Sequence, residues 1–465
     1  MKRLAVLNVV GLSESLLGPA TLRLNAFRAA GSFARIRPAM PAVTCTAQTD
    51  YLTGRQPRDH GIVANGWYDR DLAEVHFWKQ SNHLVQAPKI WDTLRAELPG
   101  FTCAQLFWWF NMYSTVNFSI TPRPMYPADG RKVFDIHAWP YDLRREIKRD
   151  LGEFPFFGFW GPAAGAHTFQ GAPDAATRWI AEAAKWVERR HAPTLNLVYL
   201  PHLDYNLQRF GPGHPEILRD LQRIDAIVGD LLEFFARQDV NVLVLSEYGI
   251  SSVNQPVHLN RIFRKQGWLT VKEELGLELL DAGGSRAFAV ADHQIAHVYV
   301  NDHALLNSVR ALLEGTHGVA QVWGGDGKRA VGLDHPRTGD LVAVAAPQSW
   351  FTYYYWLDDR RAPDFAHTVD IHRKPGYDPA ELFFDPALRA PKLRVAWRLL
   401  QKRLGFRMLM DIVPIDAKLV RGSHGALPTD RAEYPIAIVG RSNFFPSPEL
   451  AATAIHDSIR RLIQT

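Results

Sequence analysis

The stretch Pro41 to Tyr68, PAVTCTAQTDYLTGRQPRDHGIVANGWY, holds the residues whose types and spacing are best suited to chemistry. Thr44 follows a proline and precedes a turn at Leu52, Thr53 and Gly54; a second turn at Gln56 and Pro57, the pair His60 and Gly61, and an apolar run ending in Asn65 come next. A threonine at the start of a helix aims its hydroxyl outward, beside backbone N–H groups and the positive end of the helix dipole. That setting suits attack on an anionic phosphoryl group. Alone, such a threonine would read as an N-cap. Further polar residues stand at the ends of apolar runs: Asn8 in RLAVLNVV, Asp204 in LNLVYLPHLDY, and Glu247 with Tyr248 in NVLVLSEYGI. A carboxylate just past the C-terminal end of a parallel strand sits where α/β sheets place their chemistry.

The Pro41–Tyr68 segment, with its Thr, T-G turn, P-x-x-H-G turn and downstream Asn, resembles the nucleophile segment of the nucleotide pyrophosphatase/phosphodiesterase branch of the alkaline phosphatase superfamily. The other motifs follow in family order, ending with the G-x-H-G-like turn of LVRGSHGALP at His424. The resemblance implies a threonine nucleophile held on zinc at Thr44 and an amide at Asn65 that helps hold a phosphoryl oxygen. It also implies metal ligands at the positions of Asn8, Asp204, Gln208, Glu247, Tyr248 and His424. The implied activity is hydrolysis of a phosphodiester, a nucleotide pyrophosphate or a related phosphoryl substrate through a covalent threonine intermediate. The implied fold is an alkaline-phosphatase-like α/β three-layer sandwich, with a mainly parallel sheet between helices.

At the implied metal positions the chain departs from the family. Asn8 replaces an Asp, Gln208 a His, and Glu247 with Tyr248 an Asp-His pair, while Asp204 and His424 match. Divalent ions supply most of the charge neutralisation in phosphoryl transfer, so losing two imidazoles and one carboxylate removes ordinary two-zinc chemistry. Three arrangements stay open. Asp204, Glu247 and His424, with carbonyl oxygens of Gln208 or Asn8, form an oxygen-rich set suited to Mg²⁺ or Mn²⁺ more than to Zn²⁺. Alternatively the ligands have moved: Asp370 and His372, two apart on an extended segment, or Asp292 with His293 and His297, supply imidazoles. In the third, the pocket binds an anionic small molecule without hydrolysing it or runs altered chemistry, with Tyr248 donating a hydrogen bond or acting as a general acid where a metal once stood.

The elements that must position these residues are legible in outline. Residues 3–10 and 241–250 read as buried parallel strands, as does 195–205, ending in Asp204. Helices are expected at 88–97, 141–152, 174–190, 214–237, 260–266, 303–314 and 391–405. Ala287–Val300 reads as one strand, and Asp334–Pro347 as a turn leading into a strand. The segment 108–140, broken by Pro122, Pro124, Pro127, Gly130 and Pro140, reads as a long aromatic loop over a site. WFTYYYWLDD reads as an aromatic surface near the cleft. The basic helix 391–405 is expected to be solvated on its charged face and not membrane-bound, with its Leu, Val and Trp packed on the sheet. His60, His202 and His258 are expected to be structural. One domain over 1–465, with cap segments inserted at 108–170 and 270–400, accommodates all of this.

Composition narrows the partners. Apolar residues make up 47% of the chain, enough for a large core, and 14 Trp, 14 Tyr and 25 Phe exceed what a core needs, so some are expected to line a pocket. A net charge of +5 from 53 basic and 48 acidic residues is too even to argue for a nucleic acid polymer and leaves room for a local anion site, hence a small phosphorylated substrate. Two cysteines, Cys45 and Cys103, give no disulfide framework and no metal spacing, which makes a reducing cytoplasm the simplest compartment. The basic and apolar start reads as a first strand and not as a signal peptide, and no run approaches the roughly 18 apolar residues of a membrane span.

Overall fold

The computed structural model describes residues 1–129, 131–168 and 171–465. Gly130, one of the expected loop breaks, lies outside the described residues. A nine-stranded sheet forms the centre. Its strands are β1 (Leu4–Val9), β2 (Ser32–Arg37), β3 (Cys103–Leu106), β4 (Phe118–Pro122), β5 (Ile136–Trp139), β6 (Leu195–Leu200) and β7 (Asn241–Leu245), joined later in the chain by two more, Ile436–Val439 and Glu449–Ala451. The five strands in the order β7-β1-β6-β3-β4 run parallel, and antiparallel pairing appears only toward the edges. β1 reads LAVLNV and is buried along its whole length, as expected of a central strand covered by helices on both faces. Long amphipathic helices at Ala175–His191 and Glu216–Arg237 supply cover, the latter burying Ile217, Leu221, Ile224, Val228 and Leu231 against the sheet.

The Pro41–Tyr68 segment contains helix α1 (Thr44–Thr53), every residue of which is buried. Its threonines have modest helix propensity, and two of them satisfy their buried hydroxyls back along the helix: Thr49 Oγ1 donates to the Cys45 carbonyl and Thr53 Oγ1 to that of Thr49. Gly54 ends the helix at φ +65°, with its N–H on the Asp50 carbonyl. His60 closes on Asp50 at 2.8 Å, fixing the following turn.

Three expectations about elements are corrected. β6 stops at Leu200, and Asp204 sits in the first turn of helix α2 (His202–Phe210), so Asp204 and Gln208 face the site from one helix, a turn apart. Ala287–Val300 is a hairpin, β8 (Ala287–Asp292) and β9 (Ile295–Val300), turning at His293, whose φ is +60°. With β10 (Val319–Trp323) and β11 (Leu341–Ala345) it builds a second, antiparallel sheet in the order β8-β9-β11-β10. The aromatic run after β11 is not a surface: Trp350, Phe351, Tyr353, Tyr354, Tyr355 and Trp356 are all buried in the core of that second sheet. Fully burying one such side chain contributes roughly 1.5–3 kcal/mol, so six of them anchor the sheet.

Candidate active site

Thr44 is the first residue of α1; the cap position belongs to Val43, so the Thr44 hydroxyl is not spent on capping. It lies 3.2 Å from the Tyr248 hydroxyl, which in turn donates to Asp204 Oδ1 at 3.2 Å. Gln208 donates to the other oxygen, Asp204 Oδ2, at 2.9 Å and accepts from the Tyr377 hydroxyl at 2.6 Å. On the far side of Thr44, Glu247 Oε1 accepts from the Asn8 amide at 2.5 Å and from the Gln48 amide. Topology brings these groups together: β1 lies between β6 and β7, with Asn8 beside Tyr199 and Leu245, so Asn8, Asp204 and Glu247 emerge at the C-terminal ends of adjacent parallel strands.

Asn65 ties the site to the second sheet. Its Oδ1 accepts from the Cys45 N–H at 3.0 Å, and its backbone N–H and Nδ2 donate to the two oxygens of Asp292 at 2.8 and 3.1 Å. Nδ2 keeps a second hydrogen for a ligand. His424 donates its Nδ1 hydrogen to the Ala42 carbonyl at 2.7 Å, and His293 donates Nδ1 to Asp292 at 2.8 Å, so both carry their lone pair on Nε2, where neither has a partner among the described residues. The rings form a column: Tyr248 on His424 at 3.5 Å, His424 on His293 at 3.7 Å, His293 on Tyr377 at 3.6 Å, with Trp78 and Trp160 against Tyr377. Thr44 is only 4% exposed beneath this cover.

Of the residues expected from sequence, Asn8, Thr44, Asn65, Asp204, Gln208, Glu247, Tyr248 and His424 converge, and Asp292 with His293 joins them. Asp370 and His372 are held elsewhere: the Asp370 N–H donates to Glu381 and His372 Nδ1 donates to the Phe77 carbonyl. His297 spends one nitrogen on the Val63 carbonyl and the other on the Gly339 N–H, as a structural histidine does. His60, His202 and His258 pair with Asp50, Asp220 and Thr352. Gln48 and Tyr377 were not anticipated. Gln48 is one helical turn after Thr44, a spacing that puts both on one face and would have revealed it; nothing in the sequence marks Tyr377.

Burial dominates the electrostatics. It raises Asp204 to about 7 against the hydrogen bonds from Gln208 and Tyr248, and Glu247 to about 8 against those from Gln48, Asn8 and Thr44. Asp292 is raised to about 6, again by burial, with Asn65 opposing. Burial lowers His424 and His293 well below the usual imidazole range, so both are neutral. Because Glu247 has a raised folded-state pKa, its contribution to stability is complete below the unfolded value near 4.5 and is lost as pH rises through about 8. Glu247→Gln, which mimics the neutral acid, is therefore expected to flatten the fall in Tm between mildly acidic and mildly alkaline buffer by a few degrees, read by thermal melts across pH. An unchanged slope would show that Glu247 is ionised throughout.

The donor set does not fit the two-zinc centre that the resemblance implies. Zinc takes imidazole, thiolate and carboxylate donors. Asn8 and Gln208 turn amide nitrogens, which have no lone pair to give, onto Glu247 and Asp204. Tyr248 is held protonated by burial, its pKa well above the usual phenol value, and its hydroxyl is shared between Thr44 and Asp204. Among the described residues, no three His, Cys, Asp or Glu side chains are grouped so as to hold a metal ion.

The chain matches the sequence pattern of the type I phosphodiesterase / nucleotide pyrophosphatase family over residues 4–378. It is 24% identical over 239 residues to an uncharacterized pyrophosphatase/phosphodiesterase of Schizosaccharomyces pombe, covering 49% of this chain and 40% of that one. It is 22% identical over 236 residues to human ectonucleotide pyrophosphatase/phosphodiesterase family member 1, covering 49% and 21%. The chain thus spans less than half the length of these curated relatives. Its fold is that of murine ectonucleotide pyrophosphatase/phosphodiesterase 5, solved with AMP (TM-score 0.58, 15% identity, 100% and 95% of the two chains covered). It is also that of phosphonoacetate hydrolase from Sinorhizobium meliloti, solved with phosphonoformate (TM-score 0.62, 14% identity, 99% and 96% covered). The three-layer arrangement expected from the sequence is the alkaline-phosphatase-like one, and the chain belongs to the type I phosphodiesterase / nucleotide pyrophosphatase family.

Proposed function

We propose that the protein hydrolyses a small phosphorylated substrate, a phosphodiester, nucleotide pyrophosphate or related phosphoryl compound, through a covalent intermediate on Thr44. The observation that carries this is the run of hydrogen bonds from Thr44 to the Tyr248 hydroxyl and on to Asp204. As the Thr44 oxygen bonds to phosphorus and the bond to the leaving oxygen breaks, the Thr44 proton passes to Tyr248 while the Tyr248 proton passes to Asp204. The leaving group departs on the face of phosphorus opposite Thr44 and takes its proton from solvent; water then attacks the phosphothreonine from that face, giving its proton to solvent, and the proton held on Asp204 returns through Tyr248 to the departing Thr44 oxygen. The free N–H of Asn65 and the positive end of α1 hold the non-bridging oxygens. Glu247, whose carboxyl lies against the Thr44 hydroxyl, is neutral at pH 7 and adds no charge against an anionic substrate.

With Asp204 near 7 acting as base and Glu247 near 8 required neutral, kcat/KM is expected to rise through about pH 7 and fall through about pH 8. Asp204→Asn should abolish the acid limb along with most of the rate, and Glu247→Gln should remove the alkaline limb alone. A profile flat across this range would refute the assignment of both roles. The decisive experiment is mass spectrometry of enzyme quenched during turnover of a nitrophenyl phosphodiester, with an adduct on Thr44 as the expected result. Absence of turnover, both without metal and with Zn²⁺, Mn²⁺ or Mg²⁺ added, would sink the hydrolase reading.

A second reading is favoured by the closed cover over Thr44 and by the missing metal donors: the pocket binds a phosphorylated small molecule and does not cleave it. It predicts a thermal shift with such ligands and no adduct. The free, buried thiols of Cys45 and Cys103 support a reducing compartment, and we place the protein in the cytoplasm.

A further inference from the structure

Helix α3 (Pro391–Arg403) contradicts the expectation that its apolar residues pack on a sheet. One side is fastened down: Val395 is buried with Ile412 and Val413, Leu399 packs beside them, and Arg394 and Arg398 both pair with Asp411. Lys402 Nζ reaches the Lys132 carbonyl at 3.2 Å. That attachment turns the opposite side to solvent, and there Leu393, Trp397, Leu400 and Leu404 are 72%, 57%, 45% and 64% exposed. Their spacing of four, three and four residues makes one continuous stripe along the helix. Phe406, in the turn beyond the helix, is 65% exposed as well. Single exposed apolar residues are ordinary, but four on one helix face are not.

Charge says what covers the stripe. From Pro386 to Met410 the chain has no Asp or Glu and seven Lys or Arg. Arg389, Lys392, Arg403 and Arg407 have no ion pair among the described residues, whereas Arg394 and Arg398 do. An apolar stripe with a Trp at its middle, flanked by unpaired cations, matches an anionic bilayer surface: the apolar side chains enter the acyl boundary and the cations meet headgroup phosphates. A second copy of this chain fits less well, because it would set the same cations against one another without counter-charge. No described helix is long and apolar enough to cross a membrane, so the contact is one of lying on the surface.

We propose that α3 and the turn after it dock this protein onto an anionic membrane surface. Sedimentation of the full chain with vesicles of phosphatidylcholine alone, or of phosphatidylcholine mixed with phosphatidylglycerol, tests this. The expected result is at least ~10-fold tighter binding to the anionic vesicles, weakened about 10-fold when salt is raised severalfold. Trp397→Ser/Leu400→Ser, both at exposed positions, should weaken binding a further ~10-fold or more while Tm and turnover of a soluble substrate stay at wild-type values. Lys392→Glu/Arg403→Glu should lose only the preference for anionic lipid. Failure to pellet with anionic vesicles, equal binding to both vesicle types, or unchanged binding by the Trp397/Leu400 variant would overturn the proposal. So would a concentration-dependent dimer abolished by that variant in the absence of vesicle binding, which would assign the stripe to a second copy.

Discussion

Thr44→Ala is expected to lower kcat by roughly three orders of magnitude or more and to eliminate the adduct from quenched turnover, because the oxygen that bonds to phosphorus is gone. Helix α1 should survive the change: Thr44 does not cap it, Ala is the better helix former, and the Cys45 N–H keeps its bond to Asn65. Thr44→Ser, which restores a hydroxyl at the same place, should recover most of the rate and carry the adduct on serine. Steady-state kinetics with a nitrophenyl phosphodiester, paired with intact-mass measurement, read both. Full activity in the alanine variant would remove Thr44 from the reaction. A wild-type protein that binds the substrate and shows no turnover would favour the binding-only reading.

The second large effect concerns metal. Prolonged dialysis against EDTA is expected to leave turnover and Tm of the wild type within about twofold and a degree or two, since Glu247 and Asp204 already have amide and phenol partners. Restoring the donors that the family carries, Asn8→Asp, Gln208→His, Glu247→Asp and Tyr248→His together, is expected to reverse this. That variant should bind close to two equivalents of zinc, measured by elemental analysis, and should unfold at lower temperature after chelation by an amount that the wild type does not show. In the metal-free state it buries a carboxylate at position 8 beside another at 247, which makes it less stable than the wild type without the ion. A wild type that retains a stoichiometric divalent ion through purification and loses more than about tenfold in rate on chelation would show that the side chains rearrange around a metal, against the donor argument above.

The sequence exposed the fold and the buried helix that opens at Thr44 because both depend on local patterns. A run such as LAVLNV suits a strand buried on both faces, and the helix that opens at Thr44 ends where Gly54 supplies a left-handed residue. It located the polar residues at the strand ends for the same reason, since parallel strands converge at their C-terminal edge. It misjudged what comes just after the strand. Asp204 belongs to a helix because Pro201 and His202 turn the chain within two residues of Leu200, and no period of two or four is visible over so short a span. The partners of the carboxylates were less legible still. Gln48 shares a helical face with Thr44, but Tyr377 reaches Gln208 from a loop 169 positions away, a proximity that only the packed second sheet creates. The run Trp350–Trp356 reads from its composition as an aromatic surface near the cleft; it is core because the four-stranded sheet needs a filling that its short Ala- and Val-rich strands do not provide.

The column of Tyr248, His424, His293 and Tyr377 also has an optical consequence. Two phenols held face to face with two neutral imidazoles, in an asymmetric and nearly dry setting closed by Trp78 and Trp160, couple their transitions in a fixed relative orientation. A molecule bound at the Thr44 hydroxyl meets Tyr248, the first ring of that column. Occupancy of the site is thereby written into the near-ultraviolet circular dichroism and the tryptophan emission of the unlabelled protein, so that entry and departure of a colourless ligand can be timed by stopped flow even in a variant that performs no chemistry.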